Sequence, residues 1–338
     1  MLILAPMQGL TELLFRKVYH QCFPGALDYS VSPFLSLTHG NLADAWKKID
    51  DVLPEANLNS IPVIPQILGK EPDEFVALAN RLHDIGYNEI NWNIGCPMRR
   101  VTAKHRGSGI LPYPDEVRAI LDSVVPRLLP SLSIKMRLGL HSPDEIFRLI
   151  PILNDYPLSN VTIHPRTGRQ QYTGQVDLDT LDRVLPLLHH RVIYNGDICT
   201  PADYRRIRQR YPQIEDYMIG RGILYDPLLS LRIKHQQSDD LQATLRFILA
   251  IVEAIDLLPI RDESRMRKIK EYWCLLRRSL PITEQQATHV LRAQTPDETR
   301  LRLHALLDSI LFKHNSSLLQ EKFLKYYNKN ASSALPPK

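Results

Sequence analysis

Short β-rich runs alternate with helical stretches over the first 235 residues of this 338-residue chain, at a spacing of roughly 30 residues that is typical of βα units. Eight such units predict a closed (β/α)8 TIM barrel, an α/β fold. A doubly wound open sheet is the alternative, but its first strand is normally followed by a glycine-rich fingerprint, and here Pro6-Met7-Gln8-Gly9 follows instead. The predicted strands are Leu2–Ala5, Leu27–Val31, Val63–Ile67, Glu89–Asn93, Ser133–Arg137, Val161–His164, Val192–Asn195 and Tyr217–Gly220.

Helices are predicted between these strands, and several directly follow a proline, at Pro114, Pro143, Pro201 and Pro227. Proline suits a helix start because the N–H groups of the first turn have no partner within the helix. They are Glu12–Cys22, Asp73–Ile85, Asp115–Val125, Asp144–Leu153, Leu178–Leu188, Ala202–Gln209 and Leu228–His235, with a weaker prediction at Asn41–Leu53. Strand signals stop near Asp240, and the rest of the chain predicts helices at Leu241–Leu257, Arg265–Leu280, Glu284–Arg292 and Asp297–His314. We therefore expect a barrel domain over residues 1–237, a small all-helical domain over residues 238–315 and a partly disordered tail over residues 316–338.

The positive charge is concentrated in the helical part of the chain. Residues 1–239 hold 26 Lys+Arg and 26 Asp+Glu, whereas residues 240–338 hold 16 and 11, which accounts for the net charge of +5. A basic appendage on a neutral body favours a polyanionic partner, and a solvated basic surface without a ligand is the alternative.

Several classes of protein are disfavoured by composition. No run approaches the ~20 apolar residues of a membrane span, and the segment Met1–Pro6 lacks the basic leader of a signal peptide. The four cysteines are far apart and form no CxxC pair, so neither a disulfide framework nor a metal site is expected. These features predict a cytoplasmic protein with reduced thiols. The cysteines are Cys22, Cys96, Cys199 and Cys274.

Polar side chains fall at the carboxyl ends of the predicted strands, where TIM barrels carry their active sites. The glycines of Asn195-Gly196-Asp197 and Gly220-Arg221-Gly222 follow strands seven and eight, and the loops there often bind phosphate. Backbone amides beside glycine can approach an anion and Arg221 can donate two bonds to it, so a phosphate site is predicted. Tight turns without a ligand are the alternative.

Two further side chains suggest chemistry. Lys135 lies in the middle of strand five, where interior acids are scarce, and a cation there suits an anionic ligand or a reduced flavin; a lysine paired with a barrel carboxylate is the alternative. Cys96 follows strand four on a loop, and a thiol with a pKa near ~8.5 can donate a proton at neutral pH. A buried, inert cysteine is the alternative. Residues 98–114 carry five basic side chains, no acid before Pro114 and a Gly-Ser-Gly run, which predicts a mobile cationic lid or an exposed basic loop.

In this order, these residues resemble the FMN-dependent, bacterial-type tRNA-dihydrouridine synthase family over most of residues 1–225. The Asn-x-Gly-Cys-Pro and His-x-Arg-Thr pieces are specific in combination. The matching pieces are Ala5-Pro6-Met7, Gln66-Ile67-Leu68-Gly69, Asn93-Ile94-Gly95-Cys96-Pro97, Gly107-Ser108-Gly109, Lys135-Met136-Arg137-Leu138-Gly139, His164-x-Arg166-Thr167-x-x-Gln170-Gln171-Tyr172-x-Gly174, Asn195-Gly196-Asp197 and Gly220-Arg221-Gly222. Less specifically, Arg265–Trp273 looks like the family's basic RNA-binding helix.

The resemblance implies an oxidoreductase that reduces the C5=C6 bond of specific uridines in tRNA, with NADPH reducing FMN, hydride passing from the flavin to C6, and Cys96 donating a proton to C5. The uridine would turn out of the RNA fold into the barrel mouth. By the same resemblance, FMN would be held by Pro6, Met7, Gln8, Gln66, Lys135, His164, Asn195, Gly196, Asp197, Gly220 and Arg221. The uridine or nearby RNA would be met by Asn93, Arg137 and Arg166, and RNA phosphates by Arg265, Lys268, Lys270 and Arg278. A monomer is expected.

The chain departs from the family pattern at three places, where Asn91 replaces a usual Asp, Pro165 a usual Gly, and Gly107-Ser108-Gly109-Ile110 a usual Gly-Gly-Gly-Ala. Alternative functions are another FMN barrel oxidoreductase acting on a small enone-like molecule, dihydrouridine synthesis in ribosomal RNA, and an RNA-binding factor with a relict barrel. The first of these leaves the basic helical domain without a use, and the last predicts no need for Cys96.

Overall fold

The structure is a computed structural model that describes residues 1–37, 46, 49–236 and 240–313. Contacts between Cα atoms divide the chain into two compact units, one holding Met1–Ile223 and Leu228–Ser238 and the other Leu224–Pro227 and Asp239–Lys338. Most of the weaker predicted helix and the whole tail 316–338 lie outside the described residues. The described end of that helix, Ile49–Asp51, is a 3-10 turn.

The first unit contains one parallel sheet whose strands overlap the predicted β-rich runs, apart from the two-residue strand Leu35–Ser36, which was not predicted. Every pairing among the described strands is parallel. The strands are β1 (Leu2–Leu4), β2 (Tyr29–Val31), β3 (Leu35–Ser36), β4 (Val63–Ile64), β5 (Gln66–Leu68), β6 (Glu89–Ile94), β7 (Ser131–Gly139), β8 (Val161–Thr167), β9 (Val192–Tyr194) and β10 (Asp216–Ile219).

The sheet closes on itself through two interrupted strands. Its order is β3-β5-β6-β7-β8-β9-β10-β1-β2-β4, so that β4 and β5 lie at or near opposite ends although only Pro65 separates them in the chain. Proline has no N–H for a sheet ladder, which explains the break. Hydrogen bonds from Ser32 N to Ile64 O and from Gln66 N to Ser32 Oγ, both 3.0 Å, span the interruption. If β2 and β3 are counted as one interrupted strand, and β4 and β5 as another, the sheet has eight parallel strands. The predicted TIM barrel is confirmed.

Helices cover the outside of this barrel and begin as their sequences predict. Helix α4, for example, starts at Pro114 with Asp115 and Glu116 in its first turn and buries Val117 and Val124. The helices are α1 (Leu13–Cys22), α2 (Pro72–Asp84), α3 (Arg99–Thr102), α4 (Pro114–Val124), α5 (Ile146–Asn154), α6 (Leu178–Val184), α7 (Pro201–Arg210), α8 (Arg221–Tyr225) and α9 (Leu229–His235). The short helices α3 and α8 were not predicted.

The interior of the barrel is apolar on one side and polar on the other. Ile3, Ala5, Val31, Ile193 and Met218 from β1, β2, β9 and β10 form a buried cluster. On the opposite side, Trp92 points outward to Phe75 of α2, with ring centroids 6.1 Å apart. Because successive strand residues face opposite ways, the neighbours of Trp92 point inward. The polar interior set is Gln66, Asn91, Asn93, Ser133, Lys135, Arg137, Thr162, His164 and Arg166.

The second unit is helical in its described residues. Its helices are α10 (Leu241–Asp256), α11 (Asp262–Leu276), α12 (Glu284–Leu291) and α13 (Pro296–Lys313), and α11 starts three residues earlier than predicted. Asp240 caps α10 by accepting from Ala243 N at 2.8 Å. Trp273 is buried and donates from Nε1 to Ala287 O at 3.0 Å, which joins α11 to α12. Among the described helices, none is both long enough and apolar enough to cross a membrane.

Candidate active site

The parallel strands bring the predicted polar residues to one end of the barrel. Cys96 follows β6, Lys135 and His164 lie in the middle of β7 and β8, and Asn195 and Gly220 follow β9 and β10. Since all of these strands run in the same direction, their carboxyl ends share one rim, where barrel enzymes place their chemistry. The predicted grouping of these residues around one barrel mouth therefore matches the topology.

A chain of neutral side chains crosses the polar side of the interior. Asn91 donates to Ser133 Oγ at 3.0 Å and accepts from Gln66 Nε2 at 2.7 Å, and Gln66 Oε1 accepts from Asn93 Nδ2 at 2.7 Å. All four side chains are buried, and each amide has partners for both of its ends. Asn91, which departs from the family pattern, therefore links Ser133 to Gln66 within this chain of neutral side chains. As an amide it adds no negative charge to the site.

Cys96 is held by Asn93, the last residue in that chain of neutral side chains. Asn93 Oδ1 accepts from the backbone N–H groups of Gly95 at 3.0 Å and Cys96 at 2.9 Å. The cysteine is 9 % exposed and packs with Leu68 and Val101. Burial raises the pKa of the Cys96 thiol, and this outweighs the opposing effects of the Met98 N–H and the Arg137 charge. The thiol is therefore protonated at neutral pH and able to donate its proton.

The segment after Cys96 differs from the predicted mobile lid. Residues Gly107–Ile110 form a 3-10 turn in which all four are buried. Gly107 has a φ of +56°, and a Cβ on it would lie 2.6 Å from Cys96 O. Arg106, counted as a lid cation, is 9 % exposed and donates from Nη1 to Leu37 O. The prediction of mobility was wrong because the glycines serve close packing against the cysteine loop.

Lys135 lacks a counter-ion in the described part of the chain, and it makes no hydrogen bond there. Burial, assisted by the positive charge of Arg137, lowers the pKa of Lys135 to about 7. The neighbouring strand places Thr162 beside it in register, and the Thr162 hydroxyl is buried without a hydrogen-bond partner. Lys135 itself is half-buried. An unmatched buried hydroxyl is costly, so Thr162 and the neighbouring amine mark a place suited to a polar, electron-rich ligand.

His164 and Arg166 form the next layer. Arg166 Nη1 donates to His164 Nε2 at 3.0 Å, and burial lowers the pKa of His164 well below its ordinary value. The imidazole is therefore neutral, and its remaining nitrogen carries the proton. Arg166 is 1 % exposed and also donates to Asp197 and to the carbonyls of Thr173 and Gly174. Every nitrogen of Arg166 thus has a partner within the protein.

Arg137 is occupied in a similar way. It donates from Nε to Gly95 O at 3.1 Å and from Nη1 to the carbonyls of Thr167 and Gln171. Burial lowers the pKa of Arg137 to about 10. Tyr172, 53 % exposed, has its ring centroid 5.4 Å from the guanidinium carbon of Arg137 and 5.2 Å from that of Arg221. Tyr172 belongs to the motif that begins at His164, but no role was predicted for it; the signal it offers is an aromatic residue in a loop rich in polar residues.

The loops after β9 and β10 meet through one carboxylate. Asp197, with a φ of +41°, accepts from Arg166 and also from Arg221 Nη2 at 2.8 Å. Asn195 donates to Met218 O at 2.8 Å, which links the same two strands. Gly222 is a packing glycine, since a Cβ there would lie 2.1 Å from Ile198 O. At β1, Met7 is half-buried, and its N–H donates to Thr11 Oγ1 at 2.8 Å.

Comparison with known proteins decides the family. A family model described as dihydrouridine synthase matches residues 3–295 of the chain. The chain belongs to this family. As a member of the dihydrouridine synthase family, it is an oxidoreductase, and the resemblance drawn from its motifs is confirmed.

Two relatives within the family illustrate the match. The tRNA-dihydrouridine(16) synthase of Pseudomonas putida is 31 % identical over 236 residues, which cover 68 % of this chain and 72 % of the relative. The tRNA-dihydrouridine synthase B of Pasteurella multocida is 30 % identical over 234 residues, covering 68 % and 67 %. Among solved structures, the old yellow enzyme homologue of Zymomonas mobilis aligns with a TM-score of 0.50 and 12 % identity, over 72 % of this chain and 91 % of that one. This likeness concerns the fold.

In this dihydrouridine synthase family member, the predicted RNA-contact residues of the helical unit fall into two groups. Arg265 and Lys270 are occupied, because Arg265 donates to Leu258 O at 2.6 Å and Lys270 to Ala293 O at 2.6 Å. Lys268 lies 5.8 Å from the ring centroid of Tyr272, and the exposed Arg278 stacks 4.1 Å from that of Tyr225. The exposed arginines Arg261 and Arg267 were not singled out from the sequence.

Among the described residues, no group of three or more His, Cys, Asp or Glu side chains is placed to hold a metal ion.

Proposed function

We propose that this family member reduces the C5=C6 bond of specific uridines in tRNA to 5,6-dihydrouridine, using FMN and NADPH. One observation carries the proposal beyond family membership. A protonated cysteine, Cys96, lies at the mouth of the barrel and is bonded through its N–H to Asn93, the residue in register with Lys135, whose amine has no counter-ion in the described residues. Reduction of a polarised double bond requires a hydride donor and a proton donor. The site offers a place for a flavin ring and, beside it, a thiol that can give the proton.

The residues present fit a flavin. The hydroxyl of Thr162 lacks a hydrogen-bond partner in the described residues, and Lys135 lies beside it in register. The neutral side chains of Asn91, Gln66 and Asn93 offer donors and acceptors without charge. Arg221 is part-exposed beside the loops that suit a phosphate. FMN would be held by Pro6, Met7, Gln8, Gln66, Lys135, His164, Asn195, Gly196, Asp197, Gly220 and Arg221. When bound and reduced by NADPH, it would supply a hydride to C6 of the uracil ring.

Cys96 completes the reaction at the neighbouring carbon. As C6 gains the hydride, the C5=C6 pair of electrons takes the proton from Cys96 Sγ to form the C5–H bond. The resulting thiolate regains a proton from solvent before the next turnover. The raised pKa of Cys96 keeps the thiol protonated between turnovers, and Asn93 Oδ1 accepts from the Cys96 N–H and so fixes the backbone of the cysteine. A placed acid of this kind contributes roughly 10²–10⁴ in rate.

Asn93, Arg137 and Arg166 remain the proposed contacts to the uridine or nearby RNA. Arg137 and Arg166 donate to carbonyls of the loops, and Arg166 also donates to Asp197. We therefore propose that their first role is to stabilise the loops at the barrel mouth. Tyr172 is exposed between Arg137 and Arg221, and its ring offers a flat surface on which a base could stack.

We assign RNA binding to the basic helical unit. Between Arg261 and Arg278 the chain has seven Lys/Arg and three acids, and the exposed arginines there suit phosphate contacts that position the RNA. Arg265, Lys268, Lys270 and Arg278 were predicted for this role. Lys268 and Arg278 keep it and Arg261 and Arg267 join them, whereas Arg265 and Lys270 donate to backbone carbonyls and are assigned to holding the helices. A cytoplasmic monomer is the expected form.

The decisive experiment is nucleoside mass spectrometry on tRNA that lacks dihydrouridine. Purified protein and NADPH should convert uridine to a nucleoside with two additional hydrogens, and Cys96→Ala should nearly abolish the conversion while tRNA binding persists. Cys274→Ala is the matched control, because Cys274 is an exposed thiol in the helical unit. A flavin-bound, NADPH-oxidising protein that leaves tRNA unchanged would refute the tRNA assignment and direct the search to ribosomal RNA or a small enone. Protein without flavin would refute the enzymatic mechanism.

A further inference from the structure

The loop that carries Cys96 is fixed through all four backbone polar groups of Gly95 and Cys96. Asn93 accepts from both N–H groups, and Arg137 Nε donates to Gly95 O. The remaining group, Cys96 O, accepts two bonds from a single residue, one from Ser108 N at 3.0 Å and one from Ser108 Oγ at 3.1 Å. The backbone on both sides of the thiol is thus anchored.

Ser108 is enclosed on its outer side as well. It is 0 % exposed, so its hydroxyl has no access to bulk water as an alternative partner. A Cβ on Gly168 would lie 2.4 Å from Ser108 Oγ and 3.1 Å from Ser108 Cβ, which shows how closely the loop after β8 covers it. Gly107, just before it, lies against Cys96, where a Cβ would come within 2.9 Å of the cysteine Cβ.

We propose that Ser108 is a positioning residue for the proton-donating thiol, because its hydroxyl fixes the carbonyl of Cys96 and thereby the direction of the Cys96 side chain. This inference rests on the proposed function. Ser108 acts through the backbone of Cys96 and not by contact with uridine. Its removal should therefore affect the proton-transfer half of the reaction and leave the reduction of flavin by NADPH unchanged.

The first test compares Ser108→Ala with Ser30→Ala. Ser30 is also fully buried, and its hydroxyl donates one bond to a carbonyl, Pro62 O at 3.0 Å, so its loss controls for removal of a buried hydroxyl. In Ser108→Ala, oxidation of the reduced flavin by tRNA should slow by roughly 10-fold, since small misplacements of a reacting group are costly, with kcat falling and KM for tRNA unchanged. Ser30→Ala should keep the wild-type rate.

The second test measures the reactivity of Cys96 directly, without any turnover. Brief labelling with N-ethylmaleimide, read by peptide mass spectrometry, resolves Cys96 from the other cysteines. Freeing the loop should speed labelling of Cys96 several-fold in Ser108→Ala, while exposed Cys274 labels at the wild-type rate as an internal control. Equal labelling rates of Cys96 in wild type and Ser108→Ala would overturn the proposal. So would faster labelling combined with an unchanged oxidative half-reaction.

A double-mutant cycle with Gly168→Ala separates the hydroxyl from general loosening. The added methyl group should push Ser108 Oγ away from Cys96 O and speed labelling of Cys96. Its contacts with Leu140 Cδ1 at 2.7 Å and Ser108 Cβ at 3.1 Å remain in Ser108→Ala, so in that background it should add less than in wild type. Fully additive effects would contradict the proposal. If wild-type protein makes no dihydrouridine, the proposed function fails, whereas the labelling experiments still decide whether Ser108 fixes Cys96.

Discussion

Arg166 and Asp197 form a two-point ion pair at the mouth of the barrel. Arg166 Nη1 donates to Asp197 Oδ1 at 3.0 Å, and Nη2 donates to Oδ2. The arginine comes from β8 and the aspartate follows β9, so the pair joins two neighbouring strand ends. Arg221, which follows β10, donates to the same carboxylate at 2.8 Å. Three consecutive strand ends are therefore held together through one side chain.

Replacement of Arg166 should destabilise the barrel strongly. Its side chain is 1 % exposed but Asp197 is 31 % exposed, so the pair is buried on one side only, and the cost of breaking a fully buried pair, about 3–5 kcal/mol, is an upper bound. Arg166→Ala should lower the free energy of unfolding towards this range, measured by urea denaturation, although Arg221 still partners Asp197. Arg183→Ala is the control, since Arg183 and Asp144 form an exposed pair at 3.4 Å, worth about 0–1 kcal/mol. Equal losses of unfolding free energy in the two variants would show that the pair of Arg166 and Asp197 stabilises the barrel no more than an exposed pair does.

Gly107 should tolerate a methyl group far less well than Gly25. Both have positive φ, +56° and +72°, so alanine costs roughly 1–2 kcal/mol at either position from backbone strain. A Cβ at Gly107 also meets Cys96 O at 2.6 Å, whereas one at Gly25 meets nothing within 4 Å. Urea denaturation should therefore show a larger loss for Gly107→Ala, accompanied by loss of dihydrouridine formation. Matching losses, with activity kept in both, would show that the loop yields freely.

The strands were predictable from sequence because β-branched runs bounded by proline and glycine report local preferences. β3 was missed because it is only two residues long and follows Pro33. The roles of individual residues at the site were harder to predict from sequence. Arg137 and Arg166 have the sequence pattern of ligand-binding residues, yet both bond to distant parts of the protein itself. Arg137 donates to the carbonyl of Gln171, 34 residues away, and Arg166 to the carboxylate of Asp197, 31 residues away. The turn at Gly107 was taken as mobile, because nothing local reveals that its glycine packs against Cys96. Contacts between distant segments decide these roles.

Lys135 should give the ligand-free protein a distinctive pH dependence. An unfolded lysine titrates near its ordinary pKa of 10.5, whereas burial lowers the pKa of folded Lys135 to about 7. Between these values the unfolded chain binds more protons, so this residue makes the free energy of unfolding rise with pH. Lys135→Met removes the titration, and its curve of stability against pH should be flatter between about pH 7 and about pH 10. Parallel curves for flavin-free wild type and variant, measured by urea denaturation, would refute the lowered pKa of Lys135.

Two arginines of α11 that lie two residues apart should separate RNA binding from stability. Arg267 is exposed, and its guanidinium is bonded to Ser264 Oγ at 3.1 Å, whereas Arg265 donates two bonds to Leu258 O. Removal of a phosphate contact weakens binding for all RNA sequences and reduces the slope of log affinity against log salt by about 1. Arg267→Ala should therefore bind tRNA more weakly and with a lower slope, at unchanged thermal stability. Arg265→Ala should unfold more readily, because Leu258 O loses its donor, while the folded variant keeps the wild-type salt slope. The reverse pattern, in filter binding at several salt concentrations and in thermal denaturation, would place the phosphate contact at Arg265, as the basic helix motif first suggested.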